Sequence, residues 1–280
     1  MVSLTAFEHL LIGAMAGVAE IIVLQPTIGI KNALQEGRPV PRSISALYRG
    51  LGMNACSNFP ITAVQFGTAR ALQLGHEWLT GREELGVGGG LLVAMWAGAI
   101  SALLSCPSEL IVIQQQKTGR SLISETAYFV RNFGLWKAFK GLVATAIRSA
   151  VYTASYMILL PLVKEYLEQT AWAAHVAGGP LLVAGVTAGV VGSVLTHPMD
   201  TVKTRMQAFL DTSQQPQYRG MLSTSTYILR KEGLRGMFRG LLARTFRNCG
   251  AVIILNSTLT TMVDVLHQHK VRLQGHHAVD

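Results

Sequence analysis

Residues 198–207 have the sequence PMDTVKTRMQ, and two earlier stretches align with them in register. Residues 26–35 are PTIGIKNALQ, and residues 107–116 are PSELIVIQQQ. A small residue stands thirteen positions before each proline and a glycine stands nine positions before it, and these pairs are Gly13 and Gly17, Ala94 and Gly98, and Gly185 and Gly189. Three copies at one spacing indicate a chain built from three tandem repeats.

A second pattern follows each proline. An aromatic residue, a basic residue, glycine and leucine occur in succession at 48–51, 139–142 and 238–241. The aromatic residue lies 22, 32 and 40 positions after the proline, so the connection varies where insertions are best tolerated. Repeats two and three therefore have room for a short amphipathic surface helix, predicted around 121–131 and 220–230. Repeat one has little room for one.

The small residues and the prolines predict how the first helix of each repeat behaves. Small residues four positions apart let membrane helices approach closely, so these helices are expected to pack through those faces. Pro26, Pro107 and Pro198 are expected to kink the same helices near their positively flanked ends.

The composition is that of a membrane protein. Half of the 280 residues are apolar and 14% are charged, against roughly 25% in soluble proteins. Three runs of twenty residues, at 50–69, 87–106 and 176–195, contain no charged side chain. About twenty residues is the length of helix that crosses about 30 Å of hydrocarbon. Shorter uncharged runs lie at 149–163 and 248–263, and 9–30 contains a single acid, Glu20. We predict an all-α membrane protein with six transmembrane helices.

The net charge of +9 is distributed asymmetrically. Sixteen of the 24 Lys and Arg residues lie in 31–50, 117–140 and 203–239, each of which follows the first helix of a repeat. By the positive-inside rule these connections face one side of the membrane and both termini face the other. Membrane topology thus explains the charge, and no nucleic-acid partner is expected.

The third stretch resembles the signature of the mitochondrial carrier family, with proline, an acid two positions on, a base five on and glutamine nine on. Gly233 with Phe238, Arg239 and Gly240 resembles the family's second signature. The resemblance implies a threefold pseudosymmetric bundle around a central cavity that opens alternately to the two sides of the mitochondrial inner membrane. It also implies short surface helices on the matrix side and both termini on the intermembrane-space side.

The expected organisation is a single carrier domain over 1–280. Its parts are repeat one at 7–80, repeat two at 88–170, repeat three at 178–266 and a polar tail at 267–280. The family binds cardiolipin at the matrix surface, so this lipid is an expected partner. The repeat glycines and their basic neighbours fit such phosphate contacts, since helix starts present free N–H groups. These residues are Gly50, Gly141 and Gly240 with Arg49, Lys140 and Arg239.

The resemblance also implies a matrix-side gate made of one acid and one base from each repeat. The acid and base positions of the three repeats are, in turn, Ile28 and Lys31, Glu109 and Val112, and Asp200 and Lys203. If each acid pairs with the following repeat, the contacts are Glu109 with Lys203, Asp200 with Lys31, and Ile28 with Val112. The opposite direction would strand two charges, at about 3–5 kcal/mol each. We predict the first direction, with random decay of the signatures as the alternative. Gln35, Gln116 and Gln207 complete this gate.

The gate at the opposite end has diverged further. In the family, the second transmembrane helix of each repeat carries an aromatic residue, an acid and a base near its end. Arg70, Pro161 and Thr260 stand where the acid is expected. This loss favours an alternative function, in which the protein no longer transports and serves as a structural or assembly subunit of a membrane complex.

Substrate contacts in the family lie seven residues after each repeat glycine. These positions hold Ser57, Arg148 and Arg247, followed by Asn58, Ser149 and Asn248. An arginine within a membrane span normally faces a cavity or a partner, and its fork suits carboxylate or phosphate. Arg244 lies one turn from Arg247 and is expected to share its role. The alternative is that the arginines pair with protein acids, of which Glu20 is the obvious one.

Finer resemblances favour a carboxylate substrate. Residues 17–21 resemble the first helix of citrate and oxodicarboxylate carriers, and residues 48–67 resemble the second helix of citrate carriers. Arg148 with Ser149 is more similar to keto-acid and dicarboxylate carriers, and the three consecutive arginines of ADP/ATP carriers are absent. We predict transport of a di- or tricarboxylate or keto acid. No cofactor, metal site or enzymatic activity is expected.

Overall fold

The computed structural model describes residues 6–81, 85–170 and 179–276, and within these ranges it contains helices and no strand. The nine α-helices of these ranges are α1 (Ala6–Glu36), α2 (Ile44–Leu47), α3 (Leu51–Thr80), α4 (Val87–Thr118), α5 (Leu122–Phe133), α6 (Leu142–Glu168), α7 (Gly179–Ala208), α8 (Met221–Met237) and α9 (Leu241–His276). Six of them are long and three are short. The predicted all-α class is confirmed.

The long helices form a ring. Helix α1 packs against α9, α9 against α7, α7 against α6, α6 against α4, and α4 against α3. Gln25 of α1 closes the ring, because its side-chain nitrogen donates to the Arg49 carbonyl (2.9 Å) and its oxygen accepts from Asn54 of α3 (2.8 Å). The ring encloses a central space to which all six long helices contribute side chains.

Three segments are long and apolar enough to cross a membrane when the described residues are searched. They are Val87–Thr118, Leu135–Glu168 and Gly179–Ala208. Helix α3 is less apolar because it brings Asn54, Ser57 and Asn58 to the central space. An uncharged run of twenty residues is therefore a looser criterion than a run of apolar residues.

Each repeat glycine directly precedes the second long helix of its repeat and has a left-handed backbone conformation. Gly50, Gly141 and Gly240 have φ angles of 89°, 87° and 82° and directly precede α3, α6 and α9. A side chain would also lack space at Gly50, since a Cβ there would lie 2.7 Å from a methyl carbon of Val112. These positions therefore require glycine for backbone conformation and, in repeat one, for packing as well.

The predicted packing through small residues holds for repeats two and three. A Cβ at Gly98 would lie 2.5 Å from the Ser149 carbonyl oxygen, and one at Gly185 would lie 2.9 Å from Val252. At Gly17, no atom of the described residues lies within 4 Å of the position a Cβ would take, so the described part of the chain shows no such close contact there. Helices α1, α4 and α7 continue through Pro26, Pro107 and Pro198.

The short helices lie where the sequence left room for them. Helix α5 starts at the Ser121 cap and packs Phe129 against Leu110 and Ile111 of α4. Helix α8 packs Ile228 against α7 and breaks its helical conformation at Gly233. Repeat one forms only the four-residue α2, because its connection is the shortest of the three. The predicted surface helices are confirmed.

Candidate functional site

A cavity of about 320 Å³ lies at the centre of the ring. It is lined by all the substrate-contact residues that the sequence predicts on α3, α6 and α9, which are Ser57, Asn58, Arg148, Ser149, Arg244, Arg247 and Asn248. Ser57 and Asn58 come from α3, whereas the three arginines, together with Ser149 and Asn248, come from α6 and α9. The α3 side of the cavity is thus uncharged and polar, whereas the side formed by α6 and α9 carries the arginines.

The charged groups of the cavity do not balance. Five basic residues line it, namely Lys31, Arg148, Lys203, Arg244 and Arg247, against the acids Glu109 and Asp200. A third acid, Glu20, lies 3.6 Å from Arg247 and raises the acids to three. With these groups ionised the region carries two excess positive charges, which favours an anionic occupant.

Each cavity arginine also interacts with a protein carboxylate. Nη2 of Arg148 donates to Oε1 of Glu109 at 2.8 Å. Arg247 lies 3.6 Å from Glu20, the acid named above as its alternative partner. Arg244 is almost fully buried, donates to the Thr196 hydroxyl (2.6 Å) and has its guanidinium 5.9 Å from the Tyr152 ring centroid. Within the described part of the chain, Nε of Arg148, Nη1 of Arg244 and Nε of Arg247 have no hydrogen-bond acceptor. The described contacts therefore do not use every donor of these arginines.

Two ion pairs lie at the end of the cavity where the sequence predicts the matrix-side gate. Nζ of Lys31 is 2.9 Å from Oδ2 of Asp200, and Lys203 pairs with Glu109. Both pairs have the predicted direction, from the acid of one repeat to the base of the next. Asp200 and Lys203 are buried, whereas the side chain of Glu109 is 28% exposed toward the cavity.

The third side of this end has no ion pair among the described residues. Ile28 and Val112 both line the cavity, and one turn beyond them Asn32 donates to Oε1 of Gln116 at 2.7 Å. Asn32 was missed in the sequence because it stands outside the signature positions. A polar residue directly after Lys31 on a cavity-lining helix was the available signal.

The three signature glutamines lie beneath the ion pairs and are buried. Gln35 donates to Asp200 (3.0 Å) and accepts from the Thr204 hydroxyl (2.8 Å). Gln116 donates to the Arg49 carbonyl at 3.2 Å, and Gln207 donates to the Lys140 carbonyl at 3.3 Å. Gln35 thus contacts an ion pair directly. Gln116 and Gln207 join the first long helix of a repeat to the segment that precedes the second long helix of a repeat.

The predicted lipid residues have internal contacts. Lys140 donates to the Phe209 carbonyl, and Arg239 pairs with Glu232 at 2.8 Å. Arg49 packs against Gly119. A groove between the starts of α6 and α8 contains Gly141, Arg219 and Gly220. Gly50 and Gly240 lie at the corresponding starts of α3 and α9.

At the opposite end of the bundle, Arg70 and Pro161 are exposed. The side chain of Thr260 lies outside the described residues. Deeper in the cavity, Gln65 of α3 donates to the Thr153 hydroxyl of α6 at 2.9 Å, a polar contact that the sequence patterns did not indicate. It lies beside Gly98, where a Cβ would be 2.8 Å from the same hydroxyl.

Comparisons with known proteins agree with this architecture. A family model described as mitochondrial carrier protein matches residues 83–171 and 178–270. The chain is similar to the "Mitochondrial basic amino acids transporter" of Bos taurus, with 29% identity covering 95% of this chain and 94% of the relative. It is also similar to the "Tricarboxylate transport protein, mitochondrial" of Bos taurus, with 28% identity covering 93% and 90%.

A third relative is the "Mitochondrial 2-oxodicarboxylate carrier 2" of Saccharomyces cerevisiae, with 25% identity covering 84% of this chain and 86% of the relative. The family resemblance noted from the signatures is confirmed by the family model, which matches more than half of the chain. The chain therefore belongs to the mitochondrial carrier family, whose members transport small metabolites and are not enzymes.

Proposed function

We propose that this carrier moves a small anionic metabolite, a di- or tricarboxylate or a keto acid, across the mitochondrial inner membrane by alternating access. The observation that carries the proposal is the excess of basic side chains in the central cavity. Arginine forks match carboxylates in shape and charge, and a low-dielectric site strengthens that attraction. The polar α3 wall, with Ser57 and Asn58, would select among carboxylates by shape.

The relatives name substrates of both signs. Two are named for tricarboxylates and 2-oxodicarboxylates, and one is named for basic amino acids. A cationic substrate would need a free acid, but Glu20, Glu109 and Asp200 are each engaged by basic side chains. The charge balance therefore favours the anion.

The paired matrix-side residues define the proposed cycle. While Lys31–Asp200 and Lys203–Glu109 are joined, the cavity is closed toward the matrix and accepts substrate from the intermembrane space. Binding is followed by separation of these pairs and release into the matrix. The three repeats at 7–80, 88–170 and 178–266, both termini on the intermembrane-space side, and cardiolipin at the repeat glycines all belong to this proposal.

Reconstitution into liposomes tests the function. Purified protein should exchange labelled malate, 2-oxoglutarate or citrate, and should leave lysine, arginine and ATP outside. Arg148→Ala should abolish that exchange, because it removes the fork at the cavity centre. Arg230→Ala, which removes an exposed arginine on α8, is the matched control and should exchange normally. Exchange of lysine or arginine in preference to every carboxylate would overturn the anion proposal.

The scaffold function remains the second candidate, because neither Arg70 nor Pro161 supplies an acid at the outer end. The same liposomes decide between the two. If the folded protein exchanges none of these solutes but co-purifies with other inner-membrane subunits, the scaffold function replaces transport.

A further inference from the structure

Arg148 is shared between the binding cavity and the matrix-side gate. Its Nη2 donates to Oε1 of Glu109 at 2.8 Å, while Oε2 of the same carboxylate accepts from Lys203. Its Nη1 also lies 3.7 Å from Oδ1 of Asp200. One guanidinium therefore reaches both acids of the gate.

Glu109 is the more accessible of those two acids. Its side chain is 28% exposed and lines the cavity, whereas that of Asp200 is 1% exposed. A ligand entering the cavity therefore meets the Glu109–Arg148 pair before it meets Asp200. If a ligand carboxylate took the place of Glu109 on Arg148, Glu109 would keep Lys203 as a partner, so no buried charge would be left alone.

We propose that Glu109 occupies the place of the substrate carboxylate on Arg148 while the cavity is empty, and that substrate binding displaces it. This inference rests on the proposed function for the identity of the ligand. Displacement leaves Glu109 with Lys203 of the next repeat, so substrate binding changes the charge balance of the gate. Substrate binding and gate opening are then coupled through a single side chain.

Two properties follow from this sharing. The internal carboxylate competes with substrate, so the apparent affinity is lower than the affinity of a free Arg148. An empty cavity keeps the gate closed, because Glu109 then has both Arg148 and Lys203.

Chemical modification tests the occupancy without any substrate. Phenylglyoxal reacts with accessible, unpaired guanidinium groups, and mass spectrometry measures the rate at each arginine. Glu109→Gln should raise the rate at Arg148 several-fold. Glu20→Gln is the matched control, and it should raise the rate at Arg247 and leave Arg148 unchanged. Lys203→Gln should lower the rate at Arg148, because Glu109 then has no other partner, and this variant serves if Glu109→Gln does not fold.

Binding and transport test the coupling. With malate, 2-oxoglutarate and citrate as probes, both Glu109→Gln and Glu20→Gln should bind at least about fivefold more tightly than the unmodified protein. Only Glu109→Gln should also take up substrate into liposomes that contain no counter-substrate. An unchanged rate of modification at Arg148 in Glu109→Gln, or weaker binding by that variant, would overturn the proposal. If Arg148 becomes reactive but no probe binds any variant, the occupancy stands and the substrate class is wrong.

Discussion

Nδ2 of Asn32 donates to Oε1 of Gln116 across 2.7 Å, one turn beyond the positions where Ile28 and Val112 replace an ion pair. Both amides are buried, so this hydrogen bond joins repeats one and two without charge. The ring of contacts at this end is therefore continuous even though two signatures are incomplete.

That amide contact should be measurable as stability. Asn32→Leu leaves the Gln116 oxygen buried without its donor and should lower the free energy of unfolding by about 1–3 kcal/mol. Adding Gln116→Leu should recover part of the loss, because both polar groups are then gone and the Arg49 carbonyl still accepts from Gln25. Thermal unfolding of the purified protein checks both variants. Strictly additive losses would show that the two amides contribute independently.

The apolar positions above it permit a direct test of pairing direction. Ile28→Asp alone and Val112→Lys alone should each destabilise the closed state, because each places an unpaired charge beside an apolar side chain. The double variant should regain much of the loss through a third ion pair. The coupling should be of the order of 0.5–3 kcal/mol. Thermal unfolding of the four proteins gives this number, and a coupling near zero would mean that the signatures decayed at random.

The two cavity arginines should differ in their structural roles. Arg247→Ala leaves Glu20, which is only 7% exposed, without its cation, and should lower the unfolding free energy by about 1–3 kcal/mol. Arg148→Ala should cost less, because Glu109 keeps Lys203. Combining Glu20→Gln with Arg247→Ala should restore stability and leave carboxylate uptake absent. Restored uptake in that double variant would show that Arg247 serves only to neutralise Glu20.

Acid should weaken the attachment of α8. Hydrogen bonds from Arg205 hold the pKa of Glu232 below its ordinary value of 4.5. A lowered pKa contributes stability that is present above pH 4.5 and is lost as the pH falls through the folded-state value. Glu232→Gln should therefore melt earlier than the unmodified protein at pH 7, and the difference should shrink below pH 4.5. Glu168→Gln, at an exposed surface pair, should show no such trend.

Topology can be read from single cysteines placed in a variant lacking Cys56, Cys106 and Cys249. Cysteines at Gly37, Gly119 and Gln214 should react with an impermeant maleimide from the matrix side of inverted vesicles. A cysteine at Gly275 should react only from the opposite side, since an even number of spans separates it from the N-terminus. Reaction of either set from both sides would contradict the six-span arrangement.

The helices and short surface elements were predictable because small residues recur at a fixed distance before three prolines and a glycine-containing pattern follows each connection. The direction of Lys31–Asp200 and Lys203–Glu109 was also predictable, since unpaired buried charges are too costly to persist. Two features lay beyond pattern reasoning. The sharing of Glu109 depends on which way a long side chain turns, and the hydrogen bond from Asn32 to Gln116 involves a residue outside the signature positions.

Gly98 has a consequence for how this sequence can vary. The group that fills its missing side chain is the Ser149 carbonyl, which is backbone and has no rotamer through which to yield. At Gly250 the nearest obstacle is a methyl carbon of Leu24, which can turn aside. Natural variants and saturation libraries should consequently be depleted at Gly98 for every replacement, alanine included, while Gly250 admits small ones. The contact between α4 and α6 at Gly98 should therefore change least as the sequence evolves.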